Sequence, residues 1–110
     1  MNLPNSEKAY VPKEKLSNYL LSETHAVGKA KAKYFRSVGY NEENVDQLAD
    51  ALLIMAKSER VSQVVTSLYG TKYIIDGEIV TPIGSKLRLR SVWVVESHDE
   101  RPRFVTAYPV

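Results

Sequence analysis

At 110 residues the chain is long enough for one hydrophobic core and too short for two domains. Its 44% apolar and 25% charged residues suit a folded soluble protein, and no apolar run approaches the roughly 18 residues of a membrane span. With no cysteine and two distant histidines, His25 and His98, the chain excludes disulfides, thiolate metal sites and thiol nucleophiles; neither metal nor cofactor is expected.

The N-terminus, Met1-Asn2-Leu3-Pro4-Asn5-Ser6, lacks the basic region and apolar stretch of a secretory signal, so a cytoplasmic protein with no membrane partner is expected. The net charge of +2 is unevenly spread. Residues 1–40 carry seven basic against three acidic groups, 41–60 two against five, and 61–110 six against five. Lys29, Lys31, Lys33 and Arg36 form one basic cluster, and Lys86, Arg88 and Arg90 a second. Such clusters suit an anion such as phosphate; for any one of these residues the ordinary reading is a solvated side chain.

Along the chain, residues 1–12 contain Pro4 and Pro12 and read as an arm laid on a single domain of residues 13–110. Leu16, Tyr19 and Leu20 at i, i+3 and i+4 predict a short helix over Lys13–Leu21. Ser22-Glu23-Thr24-His25 reads as a loop. A second helix is expected from about Gly28 to Ser37, burying Ala32, Phe35 and Val38 and stopping at Gly39. The third is the clearest. Asn41 suits its N-cap, Glu42 and Glu43 its first turn, and Val45, Leu48, Ala49, Leu52, Leu53 and Ala56 keep a helical period to about Ser58.

The period then changes to two. Val61–Tyr69, Lys72–Val80, Leu87–Glu96 and Arg103–Tyr108 read as strands, with Thr81-Pro82-Ile83-Gly84 a type I turn and Ser97–Arg101 a polar loop. Short connections demand antiparallel pairing. The expected fold is α+β, with N-terminal helices packed on one face of a roughly four-stranded antiparallel sheet.

Alternation places Arg88, Arg90, Val92 and Val94 on one side of their strand, and Leu87, Leu89, Ser91, Trp93 and Val95 on the other. In the last strand Phe104, Thr106 and Tyr108 are expected to share a face, leaving Val105 and Ala107 beneath the helices. Arg90, Thr106 and Tyr108 would then form a phosphate-binding floor. The competing reading is an ordinary amphipathic strand with polar residues in water. His25 has the unperturbed pKa suited to general acid–base work and precedes Lys29 and Lys31. His, Lys and Arg suffice for metal-independent RNA cleavage: a base takes the ribose 2′-OH proton while cations stabilise charge on the phosphate. Trp93 could stack a base or simply pack in the core. His98 reads as an exposed turn residue. No glycine-rich phosphate loop, carboxylate cluster or nucleophile elbow occurs.

The segment Leu16-x-x-Tyr19-Leu20-Leu21-x-x-x-His25-x-x-Gly28-x-x-Lys31-Ala32-x-Tyr34-Phe35-x-x-x-Gly39-Tyr40 resembles a small bacterial domain of unassigned activity. That domain is found alone and as the C-terminal tail of polymorphic and contact-dependent toxins. The resemblance continues through Tyr69-Gly70-x-Lys72-Tyr73, Thr81-Pro82-x-Gly84, Arg90-Ser91-Val92-Trp93 and Val105-Thr106-Ala107-Tyr108-Pro109, covering nearly everything after residue 11. Such tails are similar to ribonucleases of the barnase, EndoU, colicin and RelE type, which cut RNA without metal.

The resemblance implies a toxin-like endoribonuclease with His25, Lys31, Arg90, Thr106 and Tyr108 as catalytic residues. Lys29, Arg88 and Trp93 would contact substrate. RNA and a cognate antitoxin or immunity protein are the implied partners. Ala26 departs from the pattern, standing where a proline is usual after the histidine. The alternative is a non-catalytic interaction module, itself immunity- or antitoxin-like, which would expose an apolar patch.

Overall fold

The computed structural model describes residues 1–17 and 29–110. Its framework starts at the Thr81–Gly84 turn. The Gly84 N–H donates to the Thr81 carbonyl at 2.9 Å, and the Thr81 N–H to the Ser85 carbonyl at 2.8 Å. From there β2 (Gly70–Val80) and β3 (Lys86–Glu96) pair antiparallel without a break, from Val80↔Lys86 to Gly70↔Glu96. On the flanks, β1 (Val61–Ser67) pairs with β2 and β4 (Asp99–Pro109) with β3. The result is an open four-stranded antiparallel sheet in the order β1-β2-β3-β4, accompanied by a few helices: an α+β fold.

One face of the sheet builds the core. Ile75, Ile79, Leu87, Leu89, Trp93, Phe104 and Ala107 are buried there together with Leu48, Leu52 and Met55. Trp93 is fully buried, 5.4 Å from the Phe104 ring in an edge-to-face arrangement. Its indole N–H donates to the Ser91 hydroxyl at 2.9 Å, and that hydroxyl donates to the Ile75 carbonyl at 2.9 Å. A buried Trp needs a partner for its N–H, and the neighbouring strand residue supplies it.

The last strand corrects the expected alternation. Trp93 pairs with Phe104 but Val92 pairs with Thr106, so Val105 is an extra, bulged residue. Phe104 therefore faces the core beside Ala107, rather than sharing a face with Thr106 and Tyr108. The strand is also longer than the expected 103–108. It starts at Asp99, opposite Glu96, which shrinks the expected loop to Ser97 and His98.

The helical half begins with α1 (Lys13–Lys15), where the first expected helix begins. Leu16, buried in the core, and Ser17 follow it; the expected helix beyond Ser17, the loop after it and His25 lie outside the described residues. The next helix, α2, spans Lys29–Ser37 and buries Ala32 and Phe35. Its end is a Schellman motif. The Tyr40 N–H donates to the Phe35 carbonyl and the Gly39 N–H to the Arg36 carbonyl, both at 3.1 Å, with Gly39 at φ 102°. Phe35 and Tyr40 close the motif edge to face.

The third helix, α3 (Val45–Ser58), starts later than expected. Asn41 does cap, but it caps the preceding turn: its side-chain oxygen accepts from the Glu43 and Asn44 N–H groups at 2.8 and 3.2 Å. Asn44 returns a bond to the Asn41 N–H at 2.8 Å and precedes the first helical residue. Leu48, Leu52, Met55 and Ala56 are the buried stripe. Over β2 this helix comes so close that a Cβ on Gly77 would meet the Met55 side chain at 2.6 Å.

The N-terminal arm is woven into the sheet at both ends. The Met1 carbonyl accepts from the Val61 N–H at 2.8 Å, and Leu3 is buried in the core. A 3-10 turn, Ser6–Lys8, follows. Tyr10 then pairs in parallel with Arg103, donating to the Pro102 carbonyl and accepting from the Phe104 N–H, both at 3.0 Å. The arm thus covers part of the open edge of β4. Among the described residues no helix is long and apolar enough to cross a membrane.

Trp93 is the keystone of this core, so Trp93→Ala is expected to cost about 3–5 kcal/mol of folding stability. Urea denaturation measures it, and a loss below ~1 kcal/mol would show the ring to be dispensable.

Candidate functional site

The face of the sheet opposite the core carries the polar residues, and the register stacks them in rungs. Asp76, Arg90 and Tyr108 are direct cross-strand partners on β2, β3 and β4; Ile74, Val92 and Thr106 form the next rung. Because Val105 is bulged, Thr106 and Tyr108 point outward while Phe104 and Ala107 point into the core. Arg90 comes from the strand next to the last one and shares its outward face, as expected.

Lys31 of α2 joins this face. Its ammonium donates to the Thr106 hydroxyl at 3.2 Å and stands 5.6 Å from the centroid of the Tyr108 ring, within cation–π range. Helix and sheet thus bring Lys31, Arg90, Thr106 and Tyr108 together from three elements more than fifty residues apart in the chain at their extremes.

Asp76 completes the cluster and was absent from the residues expected there. Its carboxylate accepts from Arg90 Nε at 2.8 Å and Arg90 Nη2 at 3.0 Å, a two-pronged pair. Those hydrogen bonds hold the Asp76 carboxyl below its ordinary value of 3.8 against the opposing effect of burial, with the charges of Arg90 and Arg88 adding to the fall. The same bonds raise Arg90, with a further smaller contribution from the Tyr108 phenol beside it. The two-pronged pair orients the Arg90 guanidinium on the outer face. Two of its N–H donors are committed to Asp76, and the Tyr108 phenol lies beside the guanidinium. The signal that could have found Asp76 is the turn: counting outward from Thr81 and Ser85 places residue 76 opposite residue 90.

The other expected site residues divide clearly. Arg88 is exposed and lies one rung from Arg90, opposite Glu78. Lys29 is the first residue of α2, and its side chain, like His25, lies outside the described residues. Trp93 is a correction: fully buried on the opposite face with its N–H satisfied by Ser91, it has no surface on which a base can stack. His98, in the two-residue β3–β4 turn, is exposed, 3.4 Å from the Glu96 carboxylate.

Chemically the cluster offers an ammonium, a guanidinium edge, a hydroxyl and a phenol on one solvent-facing sheet surface, the donor set of an oxyanion site. One carboxylate lies behind the guanidinium.

A family model described as "Domain of unknown function (DUF6883)" matches residues 2–110. The chain belongs to the DUF6883 family. Among curated proteins, none matches its sequence. Among solved structures, the DUF6883 chain is similar to one from a "Contact-dependent growth inhibition toxin - immunity protein complex from Klebsiella pneumoniae 342". The two share 18% sequence identity and a TM-score of 0.72, over 94% of this chain and 95% of that one. At that identity the match establishes a common fold.

Because Asp76 is more acidic folded than unfolded, its pairing stabilises the protein above the ordinary value of 3.8, and that contribution is lost as pH falls through the lower folded value. Asp76→Asn is expected to remove this part of the acid sensitivity, so its melting temperature falls less steeply than wild type from about pH 4 to 2. Parallel melting profiles for the two proteins would contradict the pairing.

Proposed function

We propose that this DUF6883 protein is a toxin-like, metal-independent endoribonuclease whose outer sheet face holds the phosphate being attacked. The observation that carries the reading is the convergence of Lys31, Arg90, Thr106 and Tyr108 on one surface. Four donor-bearing side chains from a helix and two strands suit a phosphodiester better than they suit a merely solvated face. The shared fold with a chain of a contact-dependent growth inhibition toxin–immunity complex supports a toxin-related role.

In this mechanism Lys31 and Arg90 bind the phosphate oxygens and stabilise the charge that builds on them. Thr106 and Tyr108 fix its position by hydrogen bonding. His25, from the sequence pattern, takes the proton of the ribose 2′-OH as that oxygen attacks phosphorus to close a 2′,3′-cyclic phosphate, while the P–O5′ bond breaks and the leaving 5′-oxygen takes a proton from water. In this reading the acid–base work is done by side chains, the sequence having no cysteine and no carboxylate cluster of the two-metal kind.

A second reading, an immunity- or antitoxin-like interaction module, draws on a different surface. The edge strand β1, Val61–Ser67, carries no charged residue, and Val64, Val65 and Leu68 are exposed along it and its turn. An uncharged edge strand is suited to pairing with another chain.

Incubation of the purified protein with total RNA in EDTA separates the two. Cleavage is expected to survive chelation, and His25→Ala and Lys31→Ala are each expected to slow it about a hundredfold or more while leaving the circular dichroism spectrum unchanged. Cleavage abolished by EDTA and restored by Mg²⁺ would overturn the mechanism. An RNA left intact by a folded protein would favour the interaction module.

A further inference from the structure

At the far end of the same outer face, the two hairpin turns frame a cleft of about 440 Å³. Its floor is a single rung across all four strands, Val65↔Lys72↔Val94↔Arg103. Apolar and cationic side chains therefore alternate along it. Tyr69, from the β1–β2 turn, is 83% exposed at its rim, and His98, from the β3–β4 turn, stands at the rim with a side chain 80% exposed. Two aromatic rings in water, carried by neighbouring turns over an apolar and cationic floor, have no packing role in the core.

We infer that this cleft is a nucleotide subsite, in which Tyr69 stacks an unpaired base of a single-stranded RNA while Lys72 and Arg103 contact the adjoining phosphate. The inference rests on the reading of the outer face as an RNA-binding surface and extends it to a second position. The volume falls within the range of small-molecule sites, and the mixture of apolar floor, aromatic rim and few cations is the composition that ligand pockets show. Stacking on an exposed aromatic accepts any base, since each has a π-face.

Arg103 is partly engaged by the Glu96 carboxylate at 2.9 Å, which positions it, and His98 lies 3.4 Å from the other oxygen of that carboxylate. Val94 is four residues from Arg90 on β3, a separation of ~13 Å along the strand. A chain bound at both places would thus lie along β3, with its phosphate at Lys31 and Arg90 and a flanking base at Tyr69.

The test uses a fluorescently labelled six-nucleotide RNA, 2′-O-methylated to prevent cleavage, and reads binding by anisotropy. Tyr69→Ala is expected to weaken binding roughly tenfold or more and Tyr69→Phe to bind like wild type, because stacking needs the ring and not the hydroxyl. Tyr69 is exposed in a turn, so both variants should melt with wild type. Tyr69→Ala binding as tightly as wild type, with Arg90→Ala weakened, would overturn the subsite and leave the phosphate site standing. Tyr69→Ala weakened with Arg90→Ala unchanged would support the subsite and overturn the phosphate site. No binding by the wild type would overturn both.

Discussion

The uninterrupted pairing of β2 with β3 is the constraint from which the rest of the structure follows. Eleven consecutive cross-strand pairs run from the Thr81–Ser85 turn to Gly70 and Glu96 without a register shift. A slip of one residue would turn every side chain of a strand to the opposite face. With the register as it is, Ser91 lies opposite Ile75 and can serve both the indole of Trp93 and the Ile75 carbonyl. Gly77 lies where α3 descends, and its missing Cβ makes room for Met55. On the other surface the same register sets Asp76 against Arg90, so that the core keystone and the charged pair are products of one turn.

The final strand depends on a second device. A strictly alternating β4 could not put Phe104 and Ala107 on one face and Thr106 and Tyr108 on the other. The extra residue at Val105 makes this possible, and it re-aims the strand where the cluster forms. Bulges leave little trace in hydrophobic periodicity, because the residues on either side still alternate. This explains why Thr106 and Tyr108 are legible in the sequence as outward residues while Phe104 is not. The helices divide in the same way. The period of Val45 to Ser58 and the stop at Gly39 are local signals, readable from a few neighbours. The starting point of α3 is not, since Asn41 and Asn44 each suit a cap and only their exchanged hydrogen bonds decide which residue opens the helix.

The candidate site shows what pattern reading can and cannot reach. Lys31, Arg90, Thr106 and Tyr108 stand out as residue types, and alternation orients three of them. That Lys31 meets Thr106 is a tertiary fact, linking positions 75 residues apart. Asp76 changes the electrostatics of the whole face: it anchors Arg90 in one orientation and offsets part of its charge. The surface is therefore less cationic than a count of lysines and arginines implies. Trp93 illustrates the opposite error, in which a residue type suited to nucleic acid is taken up by the core. The two sheet edges differ as well, β4 being partly covered by the N-terminal arm at Tyr10 while β1 presents an uncharged strand. The proposed anion-binding face and the uncharged edge strand are thus separate surfaces, and the two readings need not exclude each other.

The most direct measurement of the central claim is a crystal structure of the protein with a short RNA whose 2′-hydroxyls are methylated. The account predicts a phosphate of that RNA on the outer sheet face, within hydrogen-bond distance of Lys31 Nζ and Thr106 Oγ1, with Arg90 still paired to Asp76. An RNA bound along β1 or over α3, with the outer face of β3 and β4 empty, would contradict it.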